Sequence, residues 1–470
     1  MVNSLESRTS RSSSPPEAWK PLVRAVRLAQ RPLQRFLAIE AASGIILLLA
    51  AGLALAAANS PWARSYAVFW HTPVGLRLGS FTFERSMEWV VNDGLMVIFF
   101  FVVGLEIRRE LQDGELSEWR RAALPAIAAL GGMVAPACLY LMLAGSGEVR
   151  SGWGIPMATD IAFAVGILAL LGSRVSAALR VLLLALAVID DLGAILVIAL
   201  FYSAGVKVSG LLIAALAFAT IVLMQRFGLR SKPLYVAPAL IAWAGTYHAG
   251  IHPTIAGVIL GLLTPVRAWL GPQGFVDHVR EPLAGLATPA DTASAHGASD
   301  ALREIAFASR EVVSPAESLI DMLHPWVAYL IMPLFALANA GVALSTGELD
   351  AASASVAVGV GLGLLLGKPF GVLVACWLSM RLRVARLPAG VGWRDLAVLG
   401  VIAGVGFTMS LFVAQLAFVD EARLSAAKLG VLAGSAAAAV LGLALGRILL
   451  RRAGASAALS VDEAERSTEQ

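Results

Sequence analysis

Leu182-Leu-Leu-Ala-Leu-Ala-Val-Ile-Asp190-Asp191-Leu-Gly-Ala-Ile-Leu-Val-Ile-Ala-Leu200 sets two adjacent carboxylates in the middle of an apolar run. Arg180 lies ten residues before Asp190, about 15 Å along a helix, or half of a hydrocarbon core roughly 30 Å thick. A carboxylate at that depth costs on the order of 3 kcal/mol to insert. A function that needs the pair explains why both are kept, and such a pair points to ion or proton handling.

The rest of the chain agrees with a membrane setting. Of its 470 residues 58% are hydrophobic and 14% charged, whereas a soluble domain carries about 25% charged residues. The sequence therefore predicts an all-α polytopic membrane protein. About twelve apolar segments are expected, near residues 37–58, 87–105, 122–144, 153–172, 178–202, 208–226, 234–247, 252–265, 325–343, 353–379, 395–418 and 429–449. Cys138 and Cys376 lie in separate apolar segments and define no disulfide framework. The net charge of +4 is small and its basic residues form no separate module, which speaks against nucleic-acid binding.

Loop charge sets the direction of the spans. With the N-terminus in the cytoplasm, 28 of the 36 lysines and arginines fall on the cytoplasmic side and 7 on the other, with Lys368 inside a span. The positive-inside rule then places both termini in the cytoplasm, as an even number of spans requires. Residues 1–36 form a cytoplasmic extension. Its first 16 residues have a composition expected to be disordered, and from 17 on Trp19, Leu22, Val23, Val26, Leu28 and Leu33 alternate with Lys20, Arg24, Arg27, Arg31 and Arg35. That pattern suits either an amphipathic segment on an anionic lipid surface or a basic flank that sets topology. The membrane unit is expected to span 37–450 and a cytoplasmic tail 451–470. Residues 71–86 alternate around Gly79-Ser80, as a β-hairpin able to pair with a second subunit or as a plain solvated loop. Residues 266–324 form a long cytoplasmic connection, and its centre, 284–300, reads as a flexible linker.

Besides the aspartate pair, Asp93, Asp160 and Lys368 are embedded. Lys368 stands 13 residues before Arg381, roughly 20 Å deep, and needs a negative partner, Asp190 or Asp191; it serves either transport or architecture alone. Asp160 follows Gly152, Gly154, Pro156 and Thr159, where the first turns of a span are weak. Gly404, Gly406 and Thr408 mark a second weak point. Two interrupted helices in distant segments point to a transporter built from inverted repeats. There a carboxylate (Asp160) would face half-helix N-termini and an ammonium (Lys368) the C-termini. Asp190 and Asp191 are about 100° apart around a helix, so one is expected to be the direct ligand while the other assists or pairs with Lys368. Two carboxylates withdrawn from water can exchange protons near neutral pH, where an isolated aspartate cannot. Oxygen ligands suit a hard cation such as Na⁺ or Li⁺. A site that takes either a cation or protons, reached alternately from each side, is an antiporter.

Several motifs resemble the NhaA-type sodium/proton antiporter family: Ala158-Thr-Asp-Ile-Ala-Phe163, Ala187-Val-Ile-Asp-Asp-Leu-Gly-Ala-Ile195, Asn92-Asp-Gly-Leu-Met96, Val103-Gly-Leu-Glu-Ile-Arg-Arg-Glu110 and His252-Pro-Thr-Ile-Ala-Gly257. So do His324-Pro-Trp-Val-Ala-Tyr-Leu330, Leu334-Phe-Ala-Leu-Ala-Asn-Ala-Gly-Val342, Gly367-Lys-Pro369 and Gly404-Val-Gly-Phe-Thr-Met-Ser410. The resemblance covers residues 36–450. It implies a twelve-helix bacterial inner-membrane homodimer that is electrogenic, exports Na⁺ or Li⁺, imports two protons per sodium and needs no cofactor. It implies that Asp190 and Asp191 form the cation and proton site with Thr159 beside them. It also implies that Asp160 and Lys368 sit where the broken helices cross, and that Glu106, Arg109, Glu110 and His252 match positions tied to pH activation near the cytoplasmic funnel. The 266–324 connection and the N-terminal extension are longer than in the family, and Ile320, beside Asp321, stands where the family can carry an acid.

Three rival readings stand beside it. A Na⁺-coupled organic-anion transporter would want a basic cavity, against one embedded lysine here. A channel needs weak multi-site binding along an open path. A membrane receptor or assembly protein would have no use for the aspartate pair. No nucleotide-binding loop is present in the sequence, so transport is expected to be secondary.

Overall fold

The computed structural model describes residues 40–450, apart from 80, 204, 230, 269, 287–294 and 345–349. The N-terminal extension, the 451–470 tail and the middle of the 284–300 segment lie outside the described residues. Helix α1, Glu40–Ala58, is followed at an angle of 113° by α2, Ala63–His71. Asn59 ends α1: its Nδ2 donates to the carbonyls of Leu55 and Val342, both at 2.8 Å, and Pro61 follows. Strands β1, Pro73–Leu78, and β2, Phe81–Ser86, pair antiparallel with Leu78 opposite Phe81. Gly79 at φ +61° supplies the turn between them.

Helix α3 runs from Met87 to Asp113. Ser86 caps it, and residues Val90–Leu95 form a π-turn. After α4, Trp119–Leu143, the chain forms a 3₁₀ half-span, Gly147–Met157, and then α5, Ile161–Leu171, bent by 44° from it. The long α6, Ala177–Phe201, carries the aspartate pair at mid-length. Next come α7, Val208–Arg226, and two short helices, α8, Val236–His248, and α9, Thr254–Leu263. Leu211, Leu212, Leu216 and Leu223 of α7 are exposed, an apolar face suited to lipid rather than water.

Helices α10, Pro272–Leu286, and α11, Ala295–Glu311, pack together in the long connection. This corrects the expected flexible linker at both of its described ends: the alanines that read as linker composition are also good helix formers. Helix α12 spans Pro315–Asn339 and α13 spans Ala351–Arg381. Each contains a π-turn, Val327–Ile331 and Gly363–Gly367. Last come α14, Trp393–Ala403, α15, Phe407–Ala417, bent by 47° from α14, and α16, Glu421–Leu449.

Among the described residues seven helices are long and apolar enough to cross a membrane, or ten if each bent pair is one span. The expected twelve is not reached on that measure, because α8 and α9 have only 13 and 10 residues, about 20 and 15 Å of helix. The fold is all-α apart from the small hairpin. Helices α4 and α13 meet almost backbone to backbone: a Cβ at Gly131 would lie 2.4 Å from the Gly371 carbonyl oxygen. Small residues at such crossings let helices approach where lipid removes the hydrophobic drive. The approach brings Lys368, one turn before Gly371, against the middle of the bundle.

Candidate functional site

The two interrupted spans face each other at their breaks. Residues 158–160 separate the halves of the first, and 404–406 those of the second. Breaking a helix frees carbonyls and amides that a membrane interior cannot satisfy, and the freed groups find partners on the opposite broken span and on α16. The Asp160 N–H donates to Val405 O at 2.8 Å. Ser410 Oγ donates to Ile155 O at 2.8 Å, and the Phe407 N–H donates to Ser435 Oγ at 3.0 Å. Gly406 is required by space. A Cβ there would lie 2.2 Å from Ser410 Oγ and 2.9 Å from Ala158 O.

Asp160 caps both outgoing half-helices. Its Oδ1 accepts from the Phe163 N–H at 3.0 Å, and its Oδ2 accepts from the Thr408 N–H at 3.2 Å and from the Thr408 hydroxyl. The carboxylate thus sits at the positive ends of α5 and α15 together. Lys368 takes the opposite position. It follows the π-turn of α13, and its Nζ donates to the carbonyl of Met157, the last residue of the 3₁₀ half-span. Replacing Asp160 with alanine is expected to remove two caps at once and to cost about 2 kcal/mol, with asparagine recovering part of it. A thermal midpoint for the alanine variant equal to that of the parent protein would contradict the double cap.

Lys368 Nζ also donates to Asp190 Oδ2 at 2.6 Å. The same oxygen accepts from Thr159 Oγ1 at 2.6 Å. Thr159 Oγ1 lies 3.0 Å from Ala403 O as well; its single proton serves one acceptor at a time, and the shorter contact is to Asp190. Asp160, Asp190, Asp191, Thr159, Thr408 and Lys368 are all fully buried. Asp190 Oδ1 and Asp191 Oδ1 have no protein hydrogen-bond partner. The two aspartates therefore differ in environment. Asp190 is held in an ion pair with Lys368, whereas the buried Asp191 Oδ1 has no donor. Buried carboxylate oxygens without donors are rare, and here two lie on successive residues of one helix.

The remaining candidates lie elsewhere. Glu106, Arg109 and Glu110 occupy the last turns of α3, with Arg109 exposed. His252 is not with them. Its Nε2 is 3.4 Å from Asp93 Oδ1, at the opposite end of α3. Its Nδ1 is 2.7 Å from Thr254 Oγ1, and its ring meets Phe412 edge-on at 5.2 Å. The short α9 turns back right after His252, a loop geometry invisible in the motif. Ile320 packs with Leu105, Val266 and Ala316, while Asp321 is exposed. Sequence reading missed the backbone carbonyls of Met157 and Ala403, which carry no residue-type signal. It also missed Gln415, whose signal was a polar side chain in an apolar half-helix.

A polytopic helical protein whose buried ionisable groups meet where two broken spans cross is, by class, a secondary membrane transporter. Residues 34–445 match the family described as Na⁺/H⁺ antiporter 1, and the chain belongs to that family, one of transporters and not of enzymes. It is 67% identical over 460 residues to a Myxococcus xanthus (strain DK1622) protein named Na(+)/H(+) antiporter NhaA 2, covering 97% of this chain and 98% of that protein. A Sorangium cellulosum (strain So ce56) protein of the same name is 55% identical over the same shares. A Bordetella petrii protein named Na(+)/H(+) antiporter NhaA is 49% identical, over 94% of this chain and 96% of its own length.

Proposed function

We propose that this bacterial multi-pass membrane protein exchanges Na⁺ or Li⁺ for protons at Asp190 and Asp191. The observation that carries the reading is a buried Asp191 oxygen without a donor, on the residue next to the Asp190–Lys368 ion pair that meets the first broken span at Thr159 and Met157. A hard cation entering there would find carboxylate oxygens from Asp191 and Asp190 and the Thr159 hydroxyl. To bind Asp190 it must displace the Lys368 ammonium, since both compete for that carboxylate. In the proton-loaded state one proton rests on Asp191 and one on Lys368. Release of both on binding one cation changes the site's charge by one unit, which makes the exchange electrogenic at two protons per sodium.

Asp160 keeps the half-helix N-termini neutralised throughout, and Lys368 returns to the Met157 carbonyl and Asp190 when the cation leaves. Glu106, with Arg109 and Glu110 beside it on α3, sets the field on the route from the cytoplasm and tunes activity with pH. The proposed setting is the inner membrane, with both termini in the cytoplasm and a homodimer formed through β1–β2, where the hairpin offers an unpaired strand edge. Deleting residues 74–85 is expected to leave monomers on cross-linking in membranes while exchange persists; dimers after the deletion would remove the hairpin from the interface.

Everted vesicles from a host without its own sodium exporters test the function. With an acid-inside gradient imposed, NaCl and LiCl should dissipate it and KCl should not. No response to Na⁺ at any pH, with the protein present in the membrane, would favour the Na⁺-coupled solute transporter.

A further inference from the structure

Gln415 stands near the end of α15, seven residues beyond Thr408, about 10 Å along the helix. Its Oε1 accepts from Asn92 Nδ2 at 2.7 Å, and its Nε2 donates to Glu88 Oε1 at 3.0 Å and to Asn339 Oδ1. Asn92 and Asn339 also bond to each other in both directions, at 3.2 and 2.8 Å. Asn339 Nδ2 donates in addition to Phe335 O at 2.8 Å. One ring of amides, with Glu88 at its rim, therefore ties α3, α12 and α15 together. Asn92 is 8% exposed and Asn339 not at all. Asn92 lies within the π-turn of α3, a local widening often found at functional positions. One turn nearer the break, the Phe412 ring contacts Phe100 at 5.2 Å and Phe335 at 6.2 Å. The polar ring thus overlies an aromatic layer, and both belong to the same three helices.

Buried amides are stable here only as a complete set. Each donor is matched to an acceptor within the ring, so moving α15 against α3 or α12 would strip several partners together. The amide-to-amide bonds break and re-form without stranding a charge, and Glu88, at the rim, is only half-buried. Apolar side chains would pack three helices equally well if packing were the only task. Alternating access requires a route to open from the aspartate pair to each side in turn. Of the two ends of α3, Glu106 occupies one and the amide ring the other. We propose that Gln415, Asn92, Asn339 and Glu88 form a latch that holds α15 in place and closes the outward route, so that each exchange cycle requires its release. The inference rests on the antiport reading and on the outward orientation of this end of α3.

The test uses a Cys138→Ser/Cys376→Ser background with a reporter at Met96→Cys. Met96 is fully buried one turn below Asn92. Gln415→Leu keeps the volume and removes the ring's centre; Gln415→Ala serves if the leucine variant does not fold. A membrane-impermeant maleimide added from outside should label the reporter on the order of 5–10-fold faster in the variant. In the same proteins the apparent KM for Na⁺ should fall on the outer side and rise on the cytoplasmic side. Unchanged labelling, labelling gained only from the cytoplasmic side, or a uniform loss of rate without the KM split would each overturn the latch. Failure of the antiport reading is separable, since the background protein itself would then show no Na⁺-dependent proton movement.

Discussion

Asp191→Asn is expected to abolish exchange while leaving a folded protein in the membrane. The substitution keeps the shape and removes the charge, and with it the ligand for a cation and the carrier for a proton. Losing a charged contact of about 3 kcal/mol already lowers cation occupancy more than about 100-fold. Stability should hold or rise, because Asp191 Oδ1 has no protein partner to lose and an amide is cheaper to bury than a charge. The check has two parts on purified protein: Na⁺-driven proton movement in proteoliposomes, and the thermal midpoint in detergent. Electrogenic exchange at the parent rate in Asp191→Asn would sink the assignment of the site. The parallel variant Asp190→Asn should either stop exchange or make it electroneutral, since it frees Lys368 from its competition with the cation.

Lys368→Met should destabilise the protein strongly. Removing one partner of a buried ion pair strands the other, at a cost of about 3–5 kcal/mol. Here the stranded group is Asp190 Oδ2, which would keep only Thr159. The Met157 carbonyl at the end of the 3₁₀ half-span would lose its donor as well. The thermal midpoint should drop, and adding Asp190→Asn should restore much of it, because removing both charges avoids the stranded one. Equal midpoints for Lys368→Met and the parent would mean that the pair contributes nothing to the fold. A drop without recovery in the double variant would trace the loss to the Met157 contact instead.

Much of this arrangement was legible in particular residues. The depth of Asp190 and Asp191 followed from counting back to Arg180, and the two breaks were marked by Gly152, Gly154 and Pro156 and by Gly404 and Gly406. Steric demand explains the glycine mark at Gly406: Ser410, Leu364 and the Ala158 carbonyl of the opposing break leave no room for a side chain there. The hairpin was visible as alternation around Gly79, one of two readings left open. The α10–α11 pair was misread because alanine serves linkers and helices alike. The distance of His252 from Glu106 was not legible, because it depends on how α9 packs along α3 from the Asp93 end, a long-range packing outcome.

That the chain is helical and membrane-embedded, where it carries charge, and where two spans must break can all be read from the order of its residues. Those are local properties, written in apolar runs, insertion cost and backbone freedom. The partners emerge from the packed helices alone: Lys368 belongs to Asp190 and not to Asp191, Asp160 caps two helices, and Gln415 closes a ring with Asn92 and Asn339. A hydrogen bond is set by the last few tenths of an ångström between side chains hundreds of residues apart, and that distance exists only once the helices have packed.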